Sequence, residues 1–164
     1  MTDTGFSLRR ATARDAPVMW ALRADAIRKT CKGHYPAEML ERWASSPIPD
    51  TFARNIENEY FIVGVADSRI AGFAALRTST AEVEAVFVAP ACGRHGLGRR
   101  LLARLEVAAM EKGLQKLGLN ASLNAVPFYR SAGYDVISEG TYTTRAGVEI
   151  ACVRMEKSLD HVST

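Results

Sequence analysis

Apolar positions change their spacing along the chain, and each change marks a new element. Phe6-Ser7-Leu8-Arg9-Arg10 alternates over a short stretch and predicts a first strand. Asp15 ahead of Ala16-Pro17 predicts an N-cap followed by proline in the first helical turn. Val18, Leu22, Ala26 and Ile27 then recur at helical spacing to about Lys29. Gly33-His34-Tyr35-Pro36 predicts a loop before a second helix with Met39, Leu40 and Trp43 on one face. Ser45-Ser46-Pro47-Ile48-Pro49-Asp50 ends that helix, because its prolines cannot continue it.

The middle of the chain changes to β spacing. Tyr60–Val65 and Ile70–Leu76 predict a hairpin turning at Asp67-Ser68-Arg69. Glu82–Val88 predicts a third strand there, with Glu82, Glu84, Val86 and Val88 sharing one face by the two-residue period. Leu97, Leu101, Leu105 and Ala108 or Ala109 form the inward stripe of another helix, which stops at Gly113. Leu117–Ala121 reads as a strand, Asn124–Ala132 as a short helix closed by Gly133, and Tyr134–Ile137 with Val148–Met155 as a final hairpin. The resulting order, β-α-α-β-β-β-α-β-α-β-β, predicts an α/β domain around a mixed sheet.

Composition narrows this reading. A chain of 164 residues with 48% hydrophobic and 24% charged content fits one soluble domain. We expect that domain to span 1–164, with a core from about 6 to 157 and a mobile tail over 158–164. No apolar run approaches the ~20 residues that span a bilayer. The first residues lack the basic start and apolar stretch of a secretory signal. Cys31, Cys92 and Cys152 are odd in number and widely spaced, which suggests free thiols in a reducing cytoplasm rather than disulfides or a metal site. A net charge of +3 gives no argument for nucleic acid. Its distribution says more, because Arg94, Arg99, Arg100 and Arg104 cluster with no acid before Glu106. Such a patch suits a small polyanion, although a solvated helix face would look the same.

The candidate chemistry lies where that patch begins. The run Val86-Phe87-Val88-Ala89-Pro90 leads into Ala91-Cys92-Gly93-Arg94-His95-Gly96-Leu97-Gly98-Arg99-Arg100. A strand stops at a proline, a glycine-rich basic loop follows, and a helix opens. The first N–H groups of a helix have no partner within it, and its dipole is positive at that end. The combination is a candidate phosphate site. It is not a P-loop, which needs Gly-Lys-Ser/Thr, nor the Gly-x-Gly-x-x-Gly of dinucleotide folds. It resembles motif A of the GCN5-related N-acetyltransferases, Arg/Gln-x-x-Gly-x-Gly/Ala after a strand ending in Val-x-Pro. The family's Arg/Gln falls on Gly93 here, and an arginine follows one place later at Arg94. A second stretch, Asn120-Ala121-Ser122-Leu123-Asn124-Ala125-Val126-Pro127-Phe128-Tyr129-Arg130-Ser131-Ala132-Gly133-Tyr134, resembles the family's Asn/Ser-x-x-Ala-x-x-Phe-Tyr-x-x-x-Gly-Phe/Tyr segment.

That resemblance implies a single-domain acyltransferase fold, with a mixed, mostly antiparallel sheet flanked by about four helices. It implies acetyl-CoA as co-substrate and no metal. The backbone of Phe87 and Val88 would pair with the pantetheine arm and polarise the acetyl carbonyl. Arg94, His95, Gly96, Leu97, Gly98 and Arg99 would surround the diphosphate. Asn124 would either contact the cofactor or cap its helix. Tyr129 is the implied acid, since a phenol with pKa about 10 stays protonated at neutral pH. Glu84 is the first candidate base and Glu82 the second. His34, Tyr35 and Trp43 fall in the region that lines the acceptor cleft in this family. The expected activity is an N-acetyltransferase acting on a primary amine of a small molecule, peptide or protein, in a ternary complex. The alternatives are a non-catalytic acyl-CoA-binding regulatory module and a nucleotide-phosphate binder. No nucleic-acid or membrane partner is expected, and pairing of two copies is open by analogy with relatives.

Overall fold

The computed structural model describes residues 5–144 and 146–159. Its strands are β1 (Ser7–Arg10), β2 (Tyr60–Ala66), β3 (Arg69–Arg77), β4 (Glu82–Val88), β5 (Lys116–Ser122), β6 (Asp135–Thr143) and β7 (Glu149–Ser158). They form one sheet in the order β1-β2-β3-β4-β5-β7-β6. Every neighbouring pair is antiparallel except β4 with β5. The helices are α1 (Ala16–Thr30), α2 (Ala37–Ala44), α3 (Phe52–Asn58), α4 (Leu97–Glu111) and α5 (Val126–Ser131).

The apolar stripes go where their spacing directs them. Leu97, Leu101 and Leu105 of α4 bury against Ile62, Leu76, Val83, Leu119 and Met155 on one face of the sheet. Each such leucine contributes roughly 1.5–3 kcal/mol from burial. On the other face, Met19 and Leu22 of α1 pack with Ile56 of α3 against Phe61, Val63 and Phe73. A third cluster joins α1 and α2 to the start of β7 through Ile27, Leu40, Val148 and Ile150. Arg23 locks that corner. Its guanidinium donates to the Trp43 carbonyl at 2.8 Å, at the carbonyl end of α2, and lies 4.0 Å over the Trp20 ring. Burial pushes its pKa down to about 10.

Several expectations need correction. Asp15 does not cap α1 with its side chain; α1 is preceded by a 3-10 turn over Ala13–Asp15. Its carboxylate accepts from Thr12 N–H and from the Arg9 guanidinium, which holds its pKa down at about 2. Helix α3 is an addition to the expected order. It is too short for a periodic signal, and aromatic packing holds it: Phe52 meets Trp20 at 5.1 Å and Phe61 at 5.9 Å. Strand β6 extends through Ser138–Thr143, which show no apolar alternation because every residue of β6 is exposed. Its strand form comes from backbone pairing with β7 along its length. Of the tail expected over 158–164, Ser158 belongs to β7 and Leu159 is 7% exposed with its N–H bonding Gln115 O at 2.8 Å, so these two residues are held against the sheet. Residues 160–164 lie outside the described residues.

Candidate active site

Strand β4 is the centre of the site, and its two edges differ. Toward β3 it pairs from Glu82 to Val88. Toward β5 it pairs once, at Glu82 opposite Gly118, with Gly118 N–H also bonding Ala81 O at 3.0 Å. Beyond that rung, the edge facing β5, presented by the main-chain groups of Val86 and Val88, has no strand partner among the described residues. Backbone N–H and C=O groups seek partners wherever they lie. An extended amide-bearing ligand can therefore lie along this edge as a strand would.

The junction between β4 and α4 stands at the open end of this edge. Arg94 holds the left-handed conformation at φ 66° and Gly96 at φ 80°, while Gly93 is extended at φ −65° and ψ 156°. The residue missing from the familiar pattern at Gly93 therefore sits where any side chain is tolerated, and the strained position is the arginine's. Helix α4 opens at Leu97, and its first i→i−4 bond runs from Arg100 N–H to Gly96 O at 3.1 Å. The amides of Leu97, Gly98 and Arg99 precede that bond and point out of the helix end. Gly98 is a matter of space. A Cβ there would stand 3.3 Å from the Phe128 ring and 3.6 Å from Val88 Cγ2.

The basic cluster divides. Arg94 and His95 are exposed and, among the described residues, make no hydrogen bond. Arg99 instead donates to Ser131 O at 2.7 Å, closing the carbonyl end of α5, and Arg100 donates to Phe6 O at 2.9 Å. Arg104 lies over the Tyr60 ring at 5.9 Å. These three side chains fasten α4 to its neighbours rather than forming one anion patch. The Leu97 side chain is likewise core, leaving its amide as its part in the loop.

Tyr129 lies in α5 at the edge of the α4 core, 8% exposed, with its ring edge-on to Phe128 and Tyr134. Its hydroxyl makes no hydrogen bond to another described residue. Burial pushes the phenol's pKa well above its usual value, so it carries its proton throughout the physiological range. Phe87 and Val88 both contribute to packing: the Phe87 ring is 5.5 Å from Phe73, and Val88 packs against the α4 core.

The carboxylates separate because of a bulge. Ala75 faces Ala85 and Leu76 faces Val83, which leaves Glu84 as the extra residue. The expected common face of Glu82, Glu84, Val86 and Val88 is thereby broken. Val83 joins Val86 and Val88 against α4, and Glu82 emerges on the opposite side. Glu82 gives both oxygens to Arg154 at 2.7 and 2.8 Å, which removes it as a free base. Glu84 meets Arg77 Nη2 through Oε1 at 2.6 Å, and its side chain keeps 29% exposure. Burial raises its pKa, the Arg77 charge opposes that, and Glu59 and Glu82 add to it.

The expected ligand contacts from other elements are mostly structural. Asn124 sits in a 3-10 turn, and its Oδ1 accepts from the Cys31 thiol at 3.2 Å, so it caps no helix. The Tyr35 hydroxyl donates to Ala151 O and accepts from Leu123 N–H, and the ring packs against Trp43. His34 is exposed. Sequence reasoning missed the cleft of about 440 Å³ between α2 and the start of β7, lined by Pro36, Glu38, Met39, Arg42, Val148 and Glu149. Only the tertiary fold brings these two segments together. Among the described residues no group of His, Cys, Asp and Glu could hold a metal ion, and no helix is long and apolar enough to cross a membrane.

Comparison with known proteins agrees with this geometry. A family model described as "Acetyltransferase (GNAT) domain" matches residues 31–159. No curated protein sequence matches the chain. Among solved structures, a GCN5-related N-acetyltransferase from Rhodopseudomonas palustris is 27% identical with a TM-score of 0.89, over 97% of this chain and 99% of that one. The PaiA N-acetyltransferase from Thermoplasma acidophilum, solved in complex with coenzyme A, is 22% identical with a TM-score of 0.75, covering 96% and 99%. The ribosomal-protein-S18-alanine N-acetyltransferase from Escherichia coli is 21% identical with a TM-score of 0.70, covering 96% of both chains. The element order, the single-rung opening beside β4 and the family match lead to one conclusion: this chain belongs to the GNAT acetyltransferase family.

Proposed function

We propose that this chain moves the acetyl group of acetyl-CoA to a primary amine by direct attack within a ternary complex. The observation that carries the proposal is the unpaired edge of β4 ending at the N-terminus of α4. That edge suits the amides of a pantetheine arm, and the helix end suits the diphosphate. Coenzyme A bound to the Thermoplasma relative supports the same reading. Acetyl-CoA supplies the activated thioester. The loop amides from Gly96 to Arg99, with Arg94 and His95 at the rim, hold its diphosphate. Main-chain groups of Val88 orient the arm and its N–H polarises the acetyl carbonyl, whereas those of Phe87, expected to share this task, face Phe73 on β3. Tyr129 keeps its proton until it passes it to the departing thiolate. Glu84 takes the proton of the incoming ammonium through water, since Glu82 is held by Arg154.

One experiment tests the assignment. Calorimetry with coenzyme A, followed by release of free thiol from acetyl-CoA across a panel of amines and peptides, should show binding and amine-dependent turnover. Binding without turnover on any amine would leave a regulatory acyl-CoA module. Failure to bind coenzyme A would overturn the reading altogether.

A further inference from the structure

The bulge at Glu84 sets an acid beside a cation that comes from a different strand. Arg77 is the last residue of β3 and stands opposite Glu82 in the register. Its guanidinium nevertheless reaches Glu84, at 2.6 Å from Oε1. Glu82 is not available to Arg77, because Arg154 crosses from β7 and takes both of its oxygens. The two carboxylates of β4 are thus assigned to different arginines, Glu82 to Arg154 in a two-pronged grip and Glu84 to Arg77. The Glu84 side chain keeps 29% exposure, which leaves it open to water. We propose that Arg77 is a positioning residue: its guanidinium pins the Glu84 carboxylate at the bulge, from where it accepts the proton of the incoming amine. This rests on the reading of Glu84 as base.

The charged groups facing Glu84 are Arg77 from β3, Glu82 on its own strand and Glu59 from the end of α3, with Arg154 of β7 acting through Glu82. Burial, Glu59 and Glu82 all favour the protonated acid, and Arg77 alone opposes them. A base must be deprotonated to act, so removal of Arg77 moves the loss of activity to higher pH. Had Arg77 only a structural role, its removal would lower the rate equally at all pH values.

The test is the pH profile of kcat/KM for the acceptor in the wild type, Arg77→Gln, Arg77→Lys and Glu84→Gln, with folding checked by circular dichroism. In Arg77→Gln the acidic limb should move to higher pH, so that at a fixed pH on that limb the rate falls roughly tenfold. The alkaline plateau should stay within about twofold. Arg77→Lys should restore most of the wild-type limb. Glu84→Gln should lose the limb entirely. If Glu84→Gln keeps its acidic limb, the base assignment fails and Arg77 has nothing to tune. If Glu84→Gln loses the limb while Arg77→Gln leaves its position unchanged, the positioning role of Arg77 is refuted on its own.

Discussion

Gly118→Ala tests the one rung that joins β4 to β5. The Arg154 side chain runs from β7 directly over Gly118 to reach Glu82, and a Cβ at Gly118 would overlap its Nη2 and stand 2.8 Å from its Cζ. The guanidinium is the far end of a flexible side chain and can swing away, so the methyl group itself causes little strain. What is lost is the two-pronged bond to Glu82, whose partners are about 30% exposed. A fully exposed ion pair contributes up to about 1 kcal/mol and a broken buried one costs about 3–5 kcal/mol. The partly buried pair falls between these figures, nearer the lower one, so the expected loss is about 1–2 kcal/mol. For a chain of this size that lowers Tm by about 3–6 °C. Thermal and urea unfolding of Gly118→Ala, Arg154→Ala and the double variant measure it as a cycle. With Arg154 shortened, the methyl meets no obstacle and should be neutral or slightly stabilising, since alanine is better than glycine in a strand. An equal loss from Gly118→Ala in both backgrounds would refute the argument.

Three further expectations concern separate parts of the molecule. Tyr129→Phe should lower turnover by roughly 10²-fold while coenzyme A still binds by calorimetry; near-normal turnover would take Tyr129 out of the chemistry. Asp15 has its pKa held down at about 2 by Arg9, below its unfolded value, so its contribution is present above about pH 4 and is lost as pH falls through 2. Allowing for the exposure of Arg9, Asp15→Asn should cost about 1 kcal/mol in urea melts at pH 7 and progressively less as the pH falls through 2, where the carboxylate is half protonated. Gly96→Ala forces a Cβ into the left-handed region and should cost about 1 kcal/mol in the same melts, with Gly96→Asn recovering part of it.

Much of this fold is legible because short-range chemistry and tertiary packing agree. Leucines at 97, 101 and 105 declare a buried helix face, and Asp67 and Ser68 turn the β2–β3 hairpin with both residues at positive φ, as a tight hairpin requires. The glycine-rich loop is legible for the same reason, although its left-handed positions include Arg94 and leave out Gly93. The rest needs contacts between distant segments. Nothing local to Glu84 announces a bulge, and without it the period assigns the wrong face. Nothing near Arg99 shows that Ser131 will take its guanidinium, or near Asn124 that Cys31 will take its carboxamide. Strand β6 is half invisible because a strand exposed on both faces has no apolar rhythm to read.

The slot beside β4 is made by withholding bonds rather than by hollowing out a cavity. One leaf of the sheet, β1 to β4, and the other, β5 to β7, share a single rung and part beyond it like a book held at the foot of its spine. A molecule lying in the gutter would complete rungs that the protein lacks, so its arrival should slow amide exchange in Val86 and Val88 far more than at Phe61 or Met155. Beside the α4 core and the Arg154–Glu82 pair, a bound substrate would then be one more tie between the leaves, and added stiffness would report occupancy.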